Sequence, residues 1–227
     1  MNYNCAAGSL SGFVQMLACN YLPHGYWFYV TGHIPDAKQP LFVDQKLIEK
    51  YGIDRSRSSR ARRKVAGLAN IHYLRHRHFF VLLATHGHHE FFEEEGRIRD
   101  VRRLPIRYGG YSISVQQGGY LRKENPDAPA EKDPQLRVRV QIDRAYFREL
   151  RGYFSTAARC LSTEQLTQEF KTIGFEPYAP VRQQLLNLLR IVNWERKLRG
   201  MGPLDPDVIR YRRKIVRPFE FDDTKAA

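Results

Sequence analysis

Seven consecutive residues with no charge and no breaker, FFVLLAT at Phe79–Thr85, constrain this chain more than any other segment in it. So short and so apolar a run predicts a strand buried on both faces, with a partner on each edge and a covering layer above and below. LANIHYLR (Leu68–Arg75) precedes it across His76-Arg77-His78 and predicts a neighbouring strand joined by a tight connection. YWFYVTGHI (Tyr26–Ile34) is aromatic and β-branched, and predicts a third strand.

Elsewhere the pattern changes period. Val43, Leu47, Ile48 and Tyr51 recur at helical spacing, with Gly52 as a stop. Ile106–Gln116 predicts one strand bent or bulged at Gly109-Gly110, and LRVRVQI (Leu136–Ile142) alternates, presenting Arg137 and Arg139 on one face. Residues 118–135 collect Gly, Pro, Asn and charges and predict an exposed loop or hairpin tip. The C-terminal third is helical in pattern. Asp143 caps a helix with the stripe Phe147, Leu150, Phe154, Ala158 and Leu161. Ser162 and Gln165 form a capping box, and Val181, Leu185, Leu188, Leu189 and Val192 mark a long helix. The expected architecture is α+β: a sheet of about five strands followed by a C-terminal helical region. The expected divisions are an N-terminal arm (1–22), a sheet domain (23–142) and a helical region with a basic tail (143–227).

Charge selects the partner. The chain carries 37 Lys+Arg against 24 Asp+Glu, a formal charge of +13, spread over several segments instead of one amphipathic helix. That distribution favours a phosphate backbone over an anionic membrane. The densest run, RSRSSRARRK, holds Arg55, Arg57, Arg60, Arg62, Arg63 and Lys64 and no acidic residue. Arg102 and Arg103, Arg137 and Arg139, and the Arg210–Arg217 tail add to the basic surface. Tyr26, Tyr29, Tyr73 and Tyr111 are strand aromatics able to stack on bases. The expected partner is nucleic acid, DNA ahead of RNA, with no membrane and with a homodimer allowed for.

Three scattered cysteines, Cys5, Cys19 and Cys160, with no CxxC pair, fit a reducing compartment. Met1–Leu22 lacks the charged start and apolar core of a signal peptide, and no stretch has the apolar length of a membrane span. A cytoplasmic location is the expectation.

Six of the eight histidines fall between His72 and His89. Strand residues two apart share a face, so the pairs His76/His78 and His86/His88 are each candidates for one divalent metal, with zinc, manganese or magnesium in view and no cofactor certain. The decoration of strand ends, or a histidine rim on a nucleic-acid surface, is the competing explanation. Phosphate-cradling GxxxxGK[ST], HExxH, GxSxG and dinucleotide fingerprints are absent from the sequence.

The stretch NIHYLRHRHFFVLLAT (Asn70–Thr85), a strand, a turn, a His-x-His pair and an apolar strand, resembles HUH endonucleases and single-tyrosine transposases of the rolling-circle or REP-associated type. YWFYVTGHI stands where that family has its opening strand, and Arg77 stands where the family has a hydrophobic residue. The resemblance implies a ferredoxin-like antiparallel sheet and a metal-dependent DNA nickase or strand transferase of a mobile element or replicon. It also implies a tyrosine nucleophile that leaves a phosphotyrosine and a free 3′ hydroxyl. Tyr146 and Tyr153, seven residues apart on one predicted helix, are the candidates, with Tyr178 a third. Without catalysis, the same surface predicts a protein that binds single-stranded DNA or RNA, or one that serves RNA processing.

Overall fold

The computed structural model describes residues 3–119, 121–123, 125, 129–214 and 216–221, so part of the expected loop at 118–135 and the acidic end of the chain lie outside the described residues. The first elements are α1 (Leu10–Gln15), a π-helical segment (Met16–Tyr21), a 3-10 turn (Leu22–His24), β1 (Phe28–His33), α2 (Pro40–Lys50) and α3 (Arg57–Val65). Next come β2 (Ile71–His76), β3 (Phe79–Ala84), α4 (Phe91–Glu94), β4 (Arg99–Asp100), β5 (Ile106–Tyr108) and β6 (Tyr111–Gln117). The remainder is β7 (Leu121–Arg122), β8 (Glu131–Lys132), β9 (Leu136–Ile142), α5 (Arg144–Ala157), α6 (Thr163–Thr172) and α7 (Ala179–Lys197), closed by a 3-10 turn (Pro206–Val208). The protein is α+β. In place of one sheet of about five strands there are two antiparallel sheets, of four and three strands, and a small β7–β8 pair.

Two compact units partition the chain: Met1–Pro105 with Ser114–Val138 and Val216–Ala227, and Ile106–Ile113 with Arg139–Ile215. The boundary falls within β6 and β9, both members of the three-stranded sheet, whose order is β5-β6-β9.

The first unit is built on the order β2-β3-β1-β4. β3 lies inside, with Leu83 opposite Tyr29 on one side and His72 on the other. Val81, Leu82, Leu83 and Ala84 are essentially inaccessible, as a strand covered on both faces requires. One face packs Tyr73, Leu82 and Ala84 against Ile48, Tyr51, Ile53 and Phe91. Alternation along β2 sends His72, Leu74 and His76 to the opposite face, where the ring of Phe13 from α1 meets those of His76 and Phe79.

Residues 3–22, within the arm expected from the sequence, fall inside this unit. Phe13, Val14 and Leu17 are fully buried. The preceding residues cover the open edge of β2. Ala7 N–H donates to the Arg75 carbonyl and Arg75 N–H to the Cys5 carbonyl, both at 2.7 Å. The Tyr3 hydroxyl accepts from Tyr73 N–H at 3.0 Å and donates to the Tyr73 carbonyl at 2.9 Å. An uncovered edge would leave those backbone groups unpaired and open to another strand.

Beneath β2, the Asp44 carboxylate from α2 accepts from Arg75 Nε at 2.8 and 3.0 Å, from Arg75 Nη2 at 2.7 Å and from the Tyr73 hydroxyl at 2.6 Å. The remaining Arg75 donor, Nη1, holds the carbonyl of Arg77 at 2.8 Å. Arg77 is the one non-glycine residue with positive φ (54°) among the described residues, in the two-residue turn between β2 and β3.

Ile106–Gln116 is a hairpin where the sequence predicts one bent strand, and its turn lies in the second unit. Tyr108 faces Tyr111 across Gly109-Gly110, whose φ values of 54° and 78° suit a type I′ turn. A Cβ on Gly110 would lie 2.8 Å from the Phe175 ring. Asp143 caps α5 by accepting from Ala145 N–H, and Ser162 with Gln165 forms the capping box of α6. α7 buries Val181, Leu185, Leu188, Leu189 and Val192. The guanidinium of Arg196, 3% exposed, donates to the carbonyls of Gly202 and Leu161 and to the Thr163 hydroxyl, tying the end of α7 to the start of α6.

Candidate nucleic-acid interface

The basic run Arg55–Lys64 is ordered by its own chemistry. The Ser56 hydroxyl accepts from Ser59 N–H and starts α3, a helix with no buried residue. Helical spacing puts Arg57, Arg60, Ala61 and Lys64 on one face, and that face lines a cavity of about 730 Å³ in the first unit. Arg63 turns away and donates to the Ala69 carbonyl at 2.9 Å. Among the described residues, none of Arg55, Arg57, Arg60, Arg62, Arg63 and Lys64 forms an ion pair with a carboxylate.

Two of the other predicted phosphate contacts are already paired with carboxylates. Arg102 pairs with Asp100 at 2.6 Å and lies over the Trp27 ring at 4.4 Å. Arg137 pairs with Asp133 at 2.9 Å. Arg103 and Arg139 are exposed.

Aromatic rings and one buried histidine line the cavity beneath α3. The His72 ring lies 4.5 Å from that of Tyr21, 4.7 Å from that of Tyr26 and 5.9 Å from that of Tyr3. Tyr21 sits in the π-helical segment, whose wider turn differs from the α1 helix that leads into it. Asn70 joins floor to rim: its N–H donates to the Thr85 hydroxyl and its amide nitrogen to the Arg60 carbonyl.

Burial, reinforced by the Arg60 charge, pushes the His72 pKa down to about 3, so the ring is neutral at physiological pH. Its Nδ1 is 2.9 Å from the Tyr3 hydroxyl, which is itself 2.9 Å from the Tyr73 carbonyl. Burial also pushes Tyr21 up to about 12, and its phenol stays protonated.

Acid should therefore unfold the first unit early. In the unfolded chain His72 takes up a proton below its ordinary pKa near 6.5, whereas in the folded chain it does not until about pH 3. Its contribution is complete above pH 6.5 and is lost progressively as pH falls. At pH 5 the loss amounts to about 2 kcal/mol. Urea midpoints at pH 7 and pH 5 should show it, and His72→Phe should flatten the difference. An equal drop in the variant would assign acid lability to His76 and His89, whose pKa values burial also lowers.

The predicted metal histidines do not converge. His76 ends β2, and His78 stands in the hairpin turn with its Nδ1 on the Ile34 carbonyl at 3.0 Å. The turn takes the two out of strand alternation. His86 and His88 follow the far end of β3, roughly 25 Å away at about 3.3 Å per strand residue. Among the described residues, no group of three or more His, Cys, Asp or Glu side chains could hold a metal ion.

The tyrosine nucleophile candidates lie in the second unit. Tyr146 and Tyr153 are both exposed on α5. Tyr146 meets the Phe175 ring edge-on, and a hydrogen bond with Glu169 raises the Tyr153 pKa. Tyr178 precedes α7, with Arg213 over its ring at 4.8 Å.

Of the strand aromatics, Tyr26 lines the cavity. Tyr29, Tyr73 and Tyr111 are buried, and their hydroxyls bond the Leu104 and Pro105 carbonyls, Asp44 and the Glu176 amide. His72 and Tyr21 escaped sequence reasoning as partners. Alternation through LANIHYLR could have put His72 beside Leu74 and His76, but periodicity does not flag a π turn. All three cysteines are free, and no described helix is long and apolar enough to cross a membrane. Compared with known proteins, the chain matches no family model and no curated protein.

Proposed function

We propose that this protein binds nucleic acid, with the exposed face of α3 as its principal phosphate contact. One observation carries the reading: among the described residues six cations lie within Arg55–Lys64 without a carboxylate partner, while Arg75, Arg102, Arg107, Arg137, Arg159, Arg210 and Arg217 each have one. Clustered like charges repel, and a polyanion relieves that repulsion while releasing its own counterions. The aromatic cavity beside α3 favours single-stranded nucleic acid, whose bases are free to leave a stack. DNA is the first choice of partner.

The test is fluorescence anisotropy with a labelled single-stranded DNA 20-mer. Affinity should fall about 100-fold between 50 and 200 mM salt, the response of about five phosphate contacts. A salt-independent affinity, or none, would overturn the reading.

The HUH-like reading has one supporting observation. Read from β4 as β4-β1-β3-β2, all antiparallel, with helices between β1 and β2 and between β3 and β4, the first sheet has the strand order of a ferredoxin-like fold. The histidines do not provide a fitting metal cradle, and no metal-dependent step is derived. If Tyr146 or Tyr153 were the nucleophile, its oxygen would bond to phosphorus as the bond to the 3′ oxygen breaks, and that oxygen would take a proton. Denaturing the DNA complex after incubation with manganese tests this: a covalent adduct supports nicking, and free DNA with binding intact supports binding alone.

A further inference from the structure

The cavity beside α3 is more aromatic than backbone binding requires. We propose that it holds one unstacked nucleobase of the bound strand, with the neighbouring phosphate on Arg57, Arg60 and Lys64. This rests on the nucleic-acid reading and names what the site takes.

Two observations converge. At about 730 Å³ the cavity falls in the range that encloses small organic ligands, roughly 300–1,000 Å³. Its lining pairs one cluster of mutually tilted aromatic rings, Tyr21, Tyr26 and His72, with one cationic helix face. A nucleotide has that same division between a π-surface and a charged phosphate.

Calorimetry on the full chain tests it, with adenosine 5′-monophosphate and ribose 5-phosphate as probes of equal charge. The nucleotide should bind about 10- to 100-fold more tightly, the gain expected from stacking one base. Ala61→Trp, at an exposed helical position lining the cavity, fills the space without altering a charge. It should abolish that preference and leave the salt dependence of the DNA 20-mer in place. Equal binding of the two probes by the native chain, or a preference that survives in folded Ala61→Trp, overturns the base pocket while salt-sensitive DNA binding stands. Loss of native DNA binding overturns both readings. Should Ala61→Trp not fold, the native comparison alone decides.

Discussion

Asp44→Ala will destabilise the first unit by about 3 to 5 kcal/mol, the cost of breaking a buried ion pair from one side. The Asp44 carboxylate is 4% exposed and Arg75 is 9% exposed, so water cannot take over the lost contacts. The Arg75 Nε and Nη2 donors and the Tyr73 hydroxyl all lose their acceptor together. Because Arg75 also holds the Arg77 carbonyl in the β2–β3 turn, the strained residue there loses an anchor as well. Urea unfolding at pH 7 measures the effect. The double variant Asp44→Ala/Arg75→Met should recover much of the loss, since the unpaired charge goes with its partner. A single variant within 1 kcal/mol of the native chain would show that the pair does not organise this core.

The second large effect concerns binding. Arg57→Gln, Arg60→Gln and Lys64→Gln combined remove three charges from one face of α3 and keep residues that favour a helix. If each contacts a phosphate of single-stranded DNA, the slope of log affinity against log salt falls by about 2. Affinity at 50 mM salt then falls about 100- to 1,000-fold. The control is Arg102→Gln with Arg137→Gln. These two carry as much charge per residue, but Asp100 and Asp133 already neutralise them, so affinity should stay within about threefold of native. Anisotropy at four salt concentrations separates the cases. If the triple variant bound like the native chain and the control did not, α3 would not be the interface.

Much of the local structure was legible in the sequence because it depends on near neighbours. The burial of Val81–Thr85 follows from the apolar composition of the run. The Asp143 cap and the Ser162/Gln165 box follow from side chains reaching backbone two or three residues away. The α7 stripe follows from a 3.6-residue period. Where the local rule allowed two outcomes, sequence reasoning missed. Gly109-Gly110 serves either a bend or a hairpin, and the pairing of Tyr108 with Tyr111 decides it. His76 and His78 share a face only if the strand continues, and it turns between them.

The basic run at Arg55–Lys64 was visible from the sequence alone, because charge density is a local property. Which arginines are free was not. Arg75 finds Asp44 thirty-one residues away, whereas Arg57, Arg60 and Lys64 form no ion pair with a carboxylate among the described residues. Likewise the sequence contains Tyr21, Tyr26 and His72 but gives no sign that they share a wall, because their contacts join a π turn, a strand approach and an edge strand. Composition determined that this chain carries excess positive charge around an apolar sheet. Long-range packing decided where that charge is unopposed and what lies beside it, since only the folded chain sets distances between residues remote in sequence.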